Sequence, residues 1–332
     1  MRRQATARGR CADQRGVALV TALLVVSLAT VAAVAMATRL HVDMRRTANL
    51  LHGEQAYAYA IAAESWALVI LSRDAADSEH DSLTEDWATA LPPIAVEGGF
   101  VNGHIYDLQG RFNVNSLVSP DGKPAAGQLA YYKRLLTRLG LEPTLAPALL
   151  DWIDPDINAT FPDGAEDDAY LLVQPPYRAA NRPLTSISEL RLVQGYTPEV
   201  LAILTPHVSA LPGQTAINVN TATPAVLLAL HQDLTESDVE ILLTDRGEDG
   251  YTELPGFLAS DALAGLEPEV ELDVKSEWFS VLTEVSVGRG LARLESRLNR
   301  TADSLFVVAR TRTRLRPQVI ETEVAEPAAG RI

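Results

Sequence analysis

The stretch from Val17 to Thr38 reads VALVTALLVVSLATVAAVAMAT and contains no charged residue, no proline and no glycine. At about 1.5 Å per residue, a helix of this length crosses a hydrocarbon core about 30 Å thick. Helix-compatible sequence continues to Ser72, with Gly53 as its first weak helix former. The sequence therefore predicts one long helix, in which residues 17–38 span a membrane and residues 39–73 continue beyond it.

Charge is distributed unevenly about this span. The 332-residue chain has a formal net charge of -15, yet residues 1–16 carry five Arg and one Asp, which leaves about -19 for the remainder. Positively charged flanks stay in the cytoplasm, so we expect a single-pass inner-membrane protein with a cytoplasmic N-terminus and a periplasmic body. The acidic body also argues against nucleic-acid binding, because each contacted phosphate needs a Lys or Arg.

An ordinary secretory signal is the alternative interpretation of the apolar segment. Ala33-Val34-Ala35 and Ala35-Met36-Ala37 both fit a small-x-small cleavage site. However, the apolar core is longer than the usual 7 to 15 residues or so of a signal peptide, and the helical pattern continues past it. We therefore favour a membrane span.

Two separated regions of the body have strand patterns. Residues 74–99 are acidic and end in Pro and Gly, which indicates the loop after the long helix. Short alternating segments follow in Phe100 to Asn115, and alternation resumes from Phe279 to Val287 before a Gly-Arg-Gly turn typical of a hairpin. We expect a small antiparallel sheet, built from residues 74–116 and 276–316, packed on the long helix.

A further strand is predicted from Leu305 to Leu315, with Arg310, Arg312 and Arg314 on one face. This face is interpreted as a solvated or edge face protected by charge. Contact with an acidic partner subunit is the alternative. Residues 317–332 are predicted to form a flexible tail.

Residues 117–275 have a different pattern of short helical segments. These segments are Gln128–Leu139, Pro143–Ile153, Ser186–Val193, Pro198–Thr205, Ala222–Leu230 and Glu236–Asp245. The predicted fold class is therefore α+β, with a long N-terminal helix on a small antiparallel sheet and a large inserted all-α domain.

The start of the span resembles that of type IV prepilins. Gln14-Arg15-Gly16 before VALVTALL looks like the end of a prepilin leader, residues 1–16, which prepilin peptidase removes after Gly16 so that the mature chain begins at Val17. In most pilins and pseudopilins the fifth mature residue is a Glu that pairs with a neighbouring subunit's terminal amine. Here that residue is Thr21.

Absence of this Glu is typical of the K minor pseudopilin of bacterial type II secretion. The run RRTANLLHGEQAYAYAIAAESWA, residues 45–67, also resembles that subunit. The resemblance implies a type IV pilin-like fold and a structural role at the pseudopilus tip, starting a fibre that exports folded proteins. The implied partners are the I and J minor pseudopilins, the major pseudopilin, prepilin peptidase and the inner-membrane secretion platform.

Other functions were weighed against this one. The sequence has no HExxH, GxSxG, Walker or GxGxxG motif, so we do not expect an enzyme. The tip subunit of a type IV pilus and a membrane-tethered periplasmic binding protein remain as alternatives. Only the identity of the partners separates the first of these from a pseudopilus subunit.

Seven carboxylates and no basic residue lie between positions 151 and 168. Such a cluster repels itself unless a cation is bound, and oxygen ligands without His or Cys favour calcium. Ala159 and Ala165 break the EF-hand pattern. The resemblance implies a calcium site whose candidate ligands are Asp154, Asp156, Glu166, Asp167 and Asp168. Asp151 either joins them or braces a helix, and a solvated acidic loop is the alternative.

The stretch INVNTATP, residues 217–224, resembles the helix-hairpin-helix unit of DNA-uptake proteins. That unit binds phosphate through a Gly-rich hairpin with exposed backbone N–H groups. The equivalent Gln232 to Asp238 has no Gly and three carboxylates. We therefore expect a scaffold for packing and protein contact, and no binding of nucleic acid.

Overall fold

The chain is organised around one helix of 64 residues, α1 (Gln14–Asp77). The computed structural model describes residues 14–90, 92–301 and 304–312, so most of the predicted leader and the tail lie outside the described residues. The helix is about 96 Å long at 1.5 Å per residue. It ends four residues later than predicted, because Ala75 and Ala76 are strong helix formers and the intervening sequence has no breaker.

The predicted antiparallel sheet is present and packs on α1. In chain order, the strands of the described residues are β1 (Ile94–Val96), β2 (Gly99–Asp107), β3 (Phe112–Asn113), β4 (Val208–Ser209), β5 (Ile217–Asn218), β6 (Leu272–Asp273), β7 (Trp278–Val287), β8 (Gly290–Arg300) and β9 (Leu305–Arg312). Five of them form one sheet in the order β1-β2-β7-β8-β9, with antiparallel neighbours throughout.

Small residues let the sheet approach the helix closely. Ala56 and Ala60 are fully buried against Val285 and Leu294, in one of two clusters between α1 and the sheet. About three turns after Ala60, Leu71 is buried with aromatic and aliphatic side chains of β7 and β8. Burial of each large apolar side chain contributes about 1.5 to 3 kcal/mol, so this contact fixes the sheet on the outer half of α1.

The inserted domain lies between β2 and β7. Its helices are α2 (Ala126–Arg138), α3 (Leu145–Ile153), α4 (Asp167–Tyr170), α5 (Pro198–Leu204), α6 (Pro224–Leu228), α7 (Glu236–Arg246) and α8 (Leu254–Leu258). Short 3₁₀ turns and the parallel pairs β3–β4 and β5–β6 connect them. One apolar core runs through these elements. The fold class is the one predicted.

The start of the insert differs from the predicted boundary at residue 117. Phe112 and Val114 are buried in the core of the insert, and Val114–Leu117 forms a 3₁₀ turn instead of a strand. The reason is a pair of asparagines: Asn113 accepts from Asn115 N and Leu211 N, which turns the chain away from the sheet. FNVNSL at 112–117 thereby begins the first part of the insert, as INVNTA at 217–222 begins its second part.

Two arginines on the exposed face of β9 contact the chain's own long helix. Arg310 donates two hydrogen bonds of 2.8 Å to the buried Glu64 of α1, and the Arg312 guanidinium lies 3.7 Å from the centre of the Tyr57 ring. Both side chains nevertheless remain exposed, and β9 is the edge strand of the sheet, in agreement with the predicted solvated edge face. Arg314 lies outside the described residues.

A buried polar network joins the end of α1 to the insert. Arg300 of β8 donates to Asp74 at 2.8 Å and to Asp81 at 2.5 Å, and Asp81 also accepts from Ser276 N. Asp107, at the end of β2, accepts from Ser276 Oγ and Asn218 Nδ2. The insert is thus held at the end of α1 that is opposite to the apolar span.

Candidate functional site

The acidic cluster begins where α3 ends. Asp154 follows the last helical residue in an extended conformation, and Glu166 has the equivalent position before α4. The Trp152 ring packs edge-on against Tyr170 with centroids 5.0 Å apart, which holds the end of α3 against α4. Local folding thus brings two carboxylates twelve residues apart in sequence to one place.

Three of the predicted ligands converge. Asp154, Asp156 and Glu166 each offer a carboxylate oxygen, and these oxygens lie within 4.8 Å of one another. Oxygens bound to one calcium ion at about 2.3 to 2.6 Å lie up to about 5 Å apart, so the spacing fits. An all-oxygen set of carboxylates is also the donor set that calcium prefers.

The buried oxygens of this group lack hydrogen-bond partners. Asp154 Oδ1 and both carboxylate oxygens of Glu166 are buried and unpaired among the described residues. Burial, together with repulsion from the neighbouring carboxylates, raises the pKa of Asp154 to about 6 and that of Glu166 to about 7. Buried polar groups are almost always paired, so these oxygens are arranged for a ligand that the protein itself does not supply.

Asp151 has a bracing role beside the cluster. Its two carboxylate oxygens accept from Thr160 N at 3.1 and 3.0 Å, and the side chain is fully buried. A Cβ at Gly164 would collide with the Asp151 carboxylate and with the Thr160 backbone. Asp151 therefore holds the loop between α3 and α4, which carries Asp156.

The structure does not bring Asp167 and Asp168 into the group. Asp167 accepts from Ala179 N at 3.0 Å and pairs with Arg178 at 3.3 Å. Asp168 is exposed and accepts from the next backbone N–H, that of Ala169. Both residues lie in the first turn of α4. Their carboxylates are bonded there and do not join the buried oxygens of Asp154 and Glu166.

Asn181 was missed by the sequence reasoning. Its Nδ2 donates to the Asp156 carbonyl, and its Oδ1 is buried without a partner. It is also the non-glycine residue with positive φ, at 45°, in the described part of the chain. Asn tolerates this conformation, yet a lone Asn in a loop gives no sequence signal that it will reach a residue 25 positions away.

The helix-hairpin-helix region holds its own carboxylate where a phosphate would bind. At the N-terminus of α7, Thr235 N donates to Asp238 Oδ2 at 2.8 Å in a capping box. Asn220 pairs with the backbone of Tyr251 in both directions, at 2.9 and 2.7 Å. Asn220 thus serves packing inside the domain, whereas Asn218 joins the network that ties the domain to Asp107.

The first part of α1 is long and apolar enough to cross a membrane. In the described residues it is the helix that is long and apolar enough to do so, with a window of mean hydropathy 2.6 that is entirely exposed. Val17 begins the candidate span, and Gly16 precedes it within the helix. The Thr21 hydroxyl donates to the carbonyls of Val17 and Ala18 at 3.0 Å. Its polar group is therefore satisfied inside its own helix and carries no charge for a partner.

Known proteins match this chain over most of its length. Two family models described as type II secretion system, protein K match residues 110–213 and 217–281. A type II secretion system protein K of Pseudomonas aeruginosa is 36% identical over 310 residues, covering 90% of this chain and 92% of the relative. A protein of the same name in Aeromonas hydrophila is 34% identical over 325 residues, covering 90% of this chain and 97% of the relative. This chain belongs to the type II secretion system protein K family. It is therefore a pseudopilin of a protein-secretion machine.

A solved structure agrees with this K-family assignment. One chain of the GspK-GspI-GspJ complex from the enterotoxigenic Escherichia coli type 2 secretion system superposes with a TM-score of 0.73. The two share 28% identity, and the match covers 81% of this chain and all of that one. The two K-family models begin just before FNVNSL and at INVNTA, and the second continues past the insert into β7.

Proposed function

We propose that this K-family pseudopilin occupies the tip of the pseudopilus and starts its assembly together with I and J minor pseudopilins. The observation that carries the proposal is the placement of the insert over the outer end of α1. Thr84 Oγ donates to Glu248 O at 2.5 Å and Asp81 N to Val274 O at 2.8 Å, both just beyond the helix end. A further subunit stacked above would meet the insert, so the fibre can grow only below it.

The membrane end of α1 supports the same position. A subunit that docks beneath another needs a carboxylate to meet a buried terminal amine, since an unpaired charge in a bilayer costs several kcal/mol. Thr21 offers a hydroxyl already bonded to its own helix. This suits a subunit that has no neighbour above it.

The proposal includes the processing and orientation of the chain. Prepilin peptidase would cut after Gly16, and the cytoplasmic Arg-rich leader would place the body in the periplasm. There the chain would meet the major pseudopilin and the inner-membrane secretion platform. We also propose that Asp154, Asp156 and Glu166 hold calcium, which would supply the positive charge that their buried oxygens lack.

Fibre labelling tests the tip position. Cells that overproduce the major pseudopilin would be sheared, and the fibres labelled with an antibody to the insert. We expect label at one end of each fibre, co-purification of I and J subunits, and fewer fibres when the chain is deleted. Label along the fibre would contradict the tip position, and absence of any co-assembly would favour a tethered binding protein.

A further inference from the structure

Large apolar side chains are exposed on both sides of the acidic cluster. In the loop between α3 and α4, Phe161 is 92% exposed and Ile157 is 78% exposed. Leu172, directly after α4, is 84% exposed, and its neighbours Leu171 and Val173 are also exposed. Ile157 directly follows Asp156, and Leu172 lies six residues after Glu166, so both apolar segments adjoin the proposed ligands in the chain. Grouped exposed apolar residues with a polar rim mark a contact surface.

We propose that these two loops, residues 155–165 and 171–176, form a docking surface for a soluble protein that presents an apolar pocket bordered by Lys and Arg. We refer to them as the docking loops. The proposal rests on the proposed function, because a cation on Asp154, Asp156 and Glu166 would tie the end of α3 to the start of α4 and fix the loop between them.

Charge around the docking loops determines the chemistry of the partner. The segment 151–168 has seven carboxylates and no basic residue, and Arg178 pairs with one of them, Asp167. A bound divalent ion neutralises two more, so the rim stays acidic. Complementary potentials steer and orient protein partners, and a basic border therefore fits this rim. Phe161 and Leu172 supply the apolar anchors that such a border would surround.

The position of the insert favours a protein, and not a lipid surface, as the partner of the docking loops. The insert is held at Asp81 and Thr84, just past the outer end of α1. Between Thr38 and Asp77, α1 extends about 58 Å at 1.5 Å per residue, so the insert is attached far from the membrane that the span crosses. Anionic lipid headgroups would also be repelled by the acidic rim.

Photocrosslinking from position 161 tests the docking surface in the full-length chain. Phe161 is replaced by benzoylphenylalanine in secreting cells supplied with calcium, and each product is identified and mapped by mass spectrometry. We expect a protein adduct whose crosslinked site lies in an apolar pocket with adjacent Lys or Arg. A Leu172→Ser change should lower its yield at least about tenfold, as for loss of a contact hot spot. The same label at Phe100, which is 56% exposed on β2, is the control and should be unaffected by Leu172→Ser.

Calcium binding by the same preparation separates the two proposals. If the chain binds calcium but gives no protein adduct, or an adduct with lipid or with an acidic surface, the docking surface is overturned. If the chain binds no calcium, the cation site of the proposed function is overturned. The docking surface is then judged separately, by whether the crosslink maps to an apolar pocket with adjacent Lys or Arg.

Discussion

Individual carboxylates determine what the acidic cluster can bind. Of six candidate ligands predicted from sequence, Asp154, Asp156 and Glu166 converge. Asp151 instead braces the loop between α3 and α4 by accepting from Thr160 N. The count of acidic residues predicted a cation, because repulsion depends only on their number and proximity. It could not distinguish ligands from braces, because that depends on where α3 ends and α4 begins.

Removing two ligand charges should abolish calcium binding. We expect Asp154→Asn combined with Glu166→Gln to weaken calcium affinity at least about 100-fold, or about 2.7 kcal/mol, because both buried carboxylates would lose their charge. Isothermal titration calorimetry measures this. Asp168→Asn, on an exposed carboxylate bonded to its own turn, is the matched control and should leave the affinity within about threefold. Equal loss in both variants would place the ion elsewhere.

The same carboxylates predict how stability depends on pH. Their folded-state pKa values of about 6 and about 7 lie above the ordinary values, so the metal-free folded chain binds more protons than the unfolded chain. Without calcium, their contribution to stability should therefore rise as pH falls from about 7 to about 4. Calcium needs the ionised forms, so its stabilising effect should grow from pH 5 to pH 8.

Thermal unfolding with chelator or with saturating calcium checks this dependence. The Asp154→Asn and Glu166→Gln double variant is the control, and it should lose both the response to calcium and most of this pH slope. A calcium effect that is constant with pH would show that these two groups are not the ligands.

Contacts between elements explain which parts of the fold the sequence could predict. The long helix and the β7–β8 hairpin follow from local patterns: an unbroken apolar run, alternation and a Gly turn, where Gly288 has φ +51°. The start of the insert at FNVNSL and the direction of the β9 arginines depend on distant partners, Leu211 and Glu64. Residue types alone do not reveal such partners.

The contact between β9 and α1 predicts a measurable loss of stability. Although burial alone raises the pKa of Glu64, hydrogen bonds from Arg310 and Ser296 lower it overall, so the folded state depends on these partners. We expect Arg310→Met to cost about 1 to 3 kcal/mol, because Glu64 would stay buried without its cation while Arg310 is half exposed. Urea unfolding measures the change.

The matched control for that variant is Arg289→Met, at an exposed arginine in the hairpin between β7 and β8. It should change stability by less than about 0.5 kcal/mol. Adding Glu64→Gln to Arg310→Met should recover part of the loss, since no buried charge would then be left unpaired. A purely additive loss would argue against direct coupling.

In the described part of the chain, a buried network joins the core of the insert to the two apolar clusters between α1 and the sheet. Arg300 bridges Asp74 on α1 and Asp81 beneath the insert, so we expect Arg300→Met to cost about 3 to 5 kcal/mol through two unpaired carboxylates. It should also separate the melting of the insert from that of the sheet. Differential scanning calorimetry measures both effects. A single transition with unchanged stability would show that the network does not couple the two cores.

A pilin-class subunit with an apolar span at one end of α1 and a bulky insert at the other is expected to be processed by prepilin peptidase. The mature N-terminus, read by mass spectrometry after expression with and without the peptidase, tests this. We expect a chain that starts at Val17 when the peptidase is present and an intact leader when it is absent. A leader retained in both cases, or cleavage near Ala37, would contradict it.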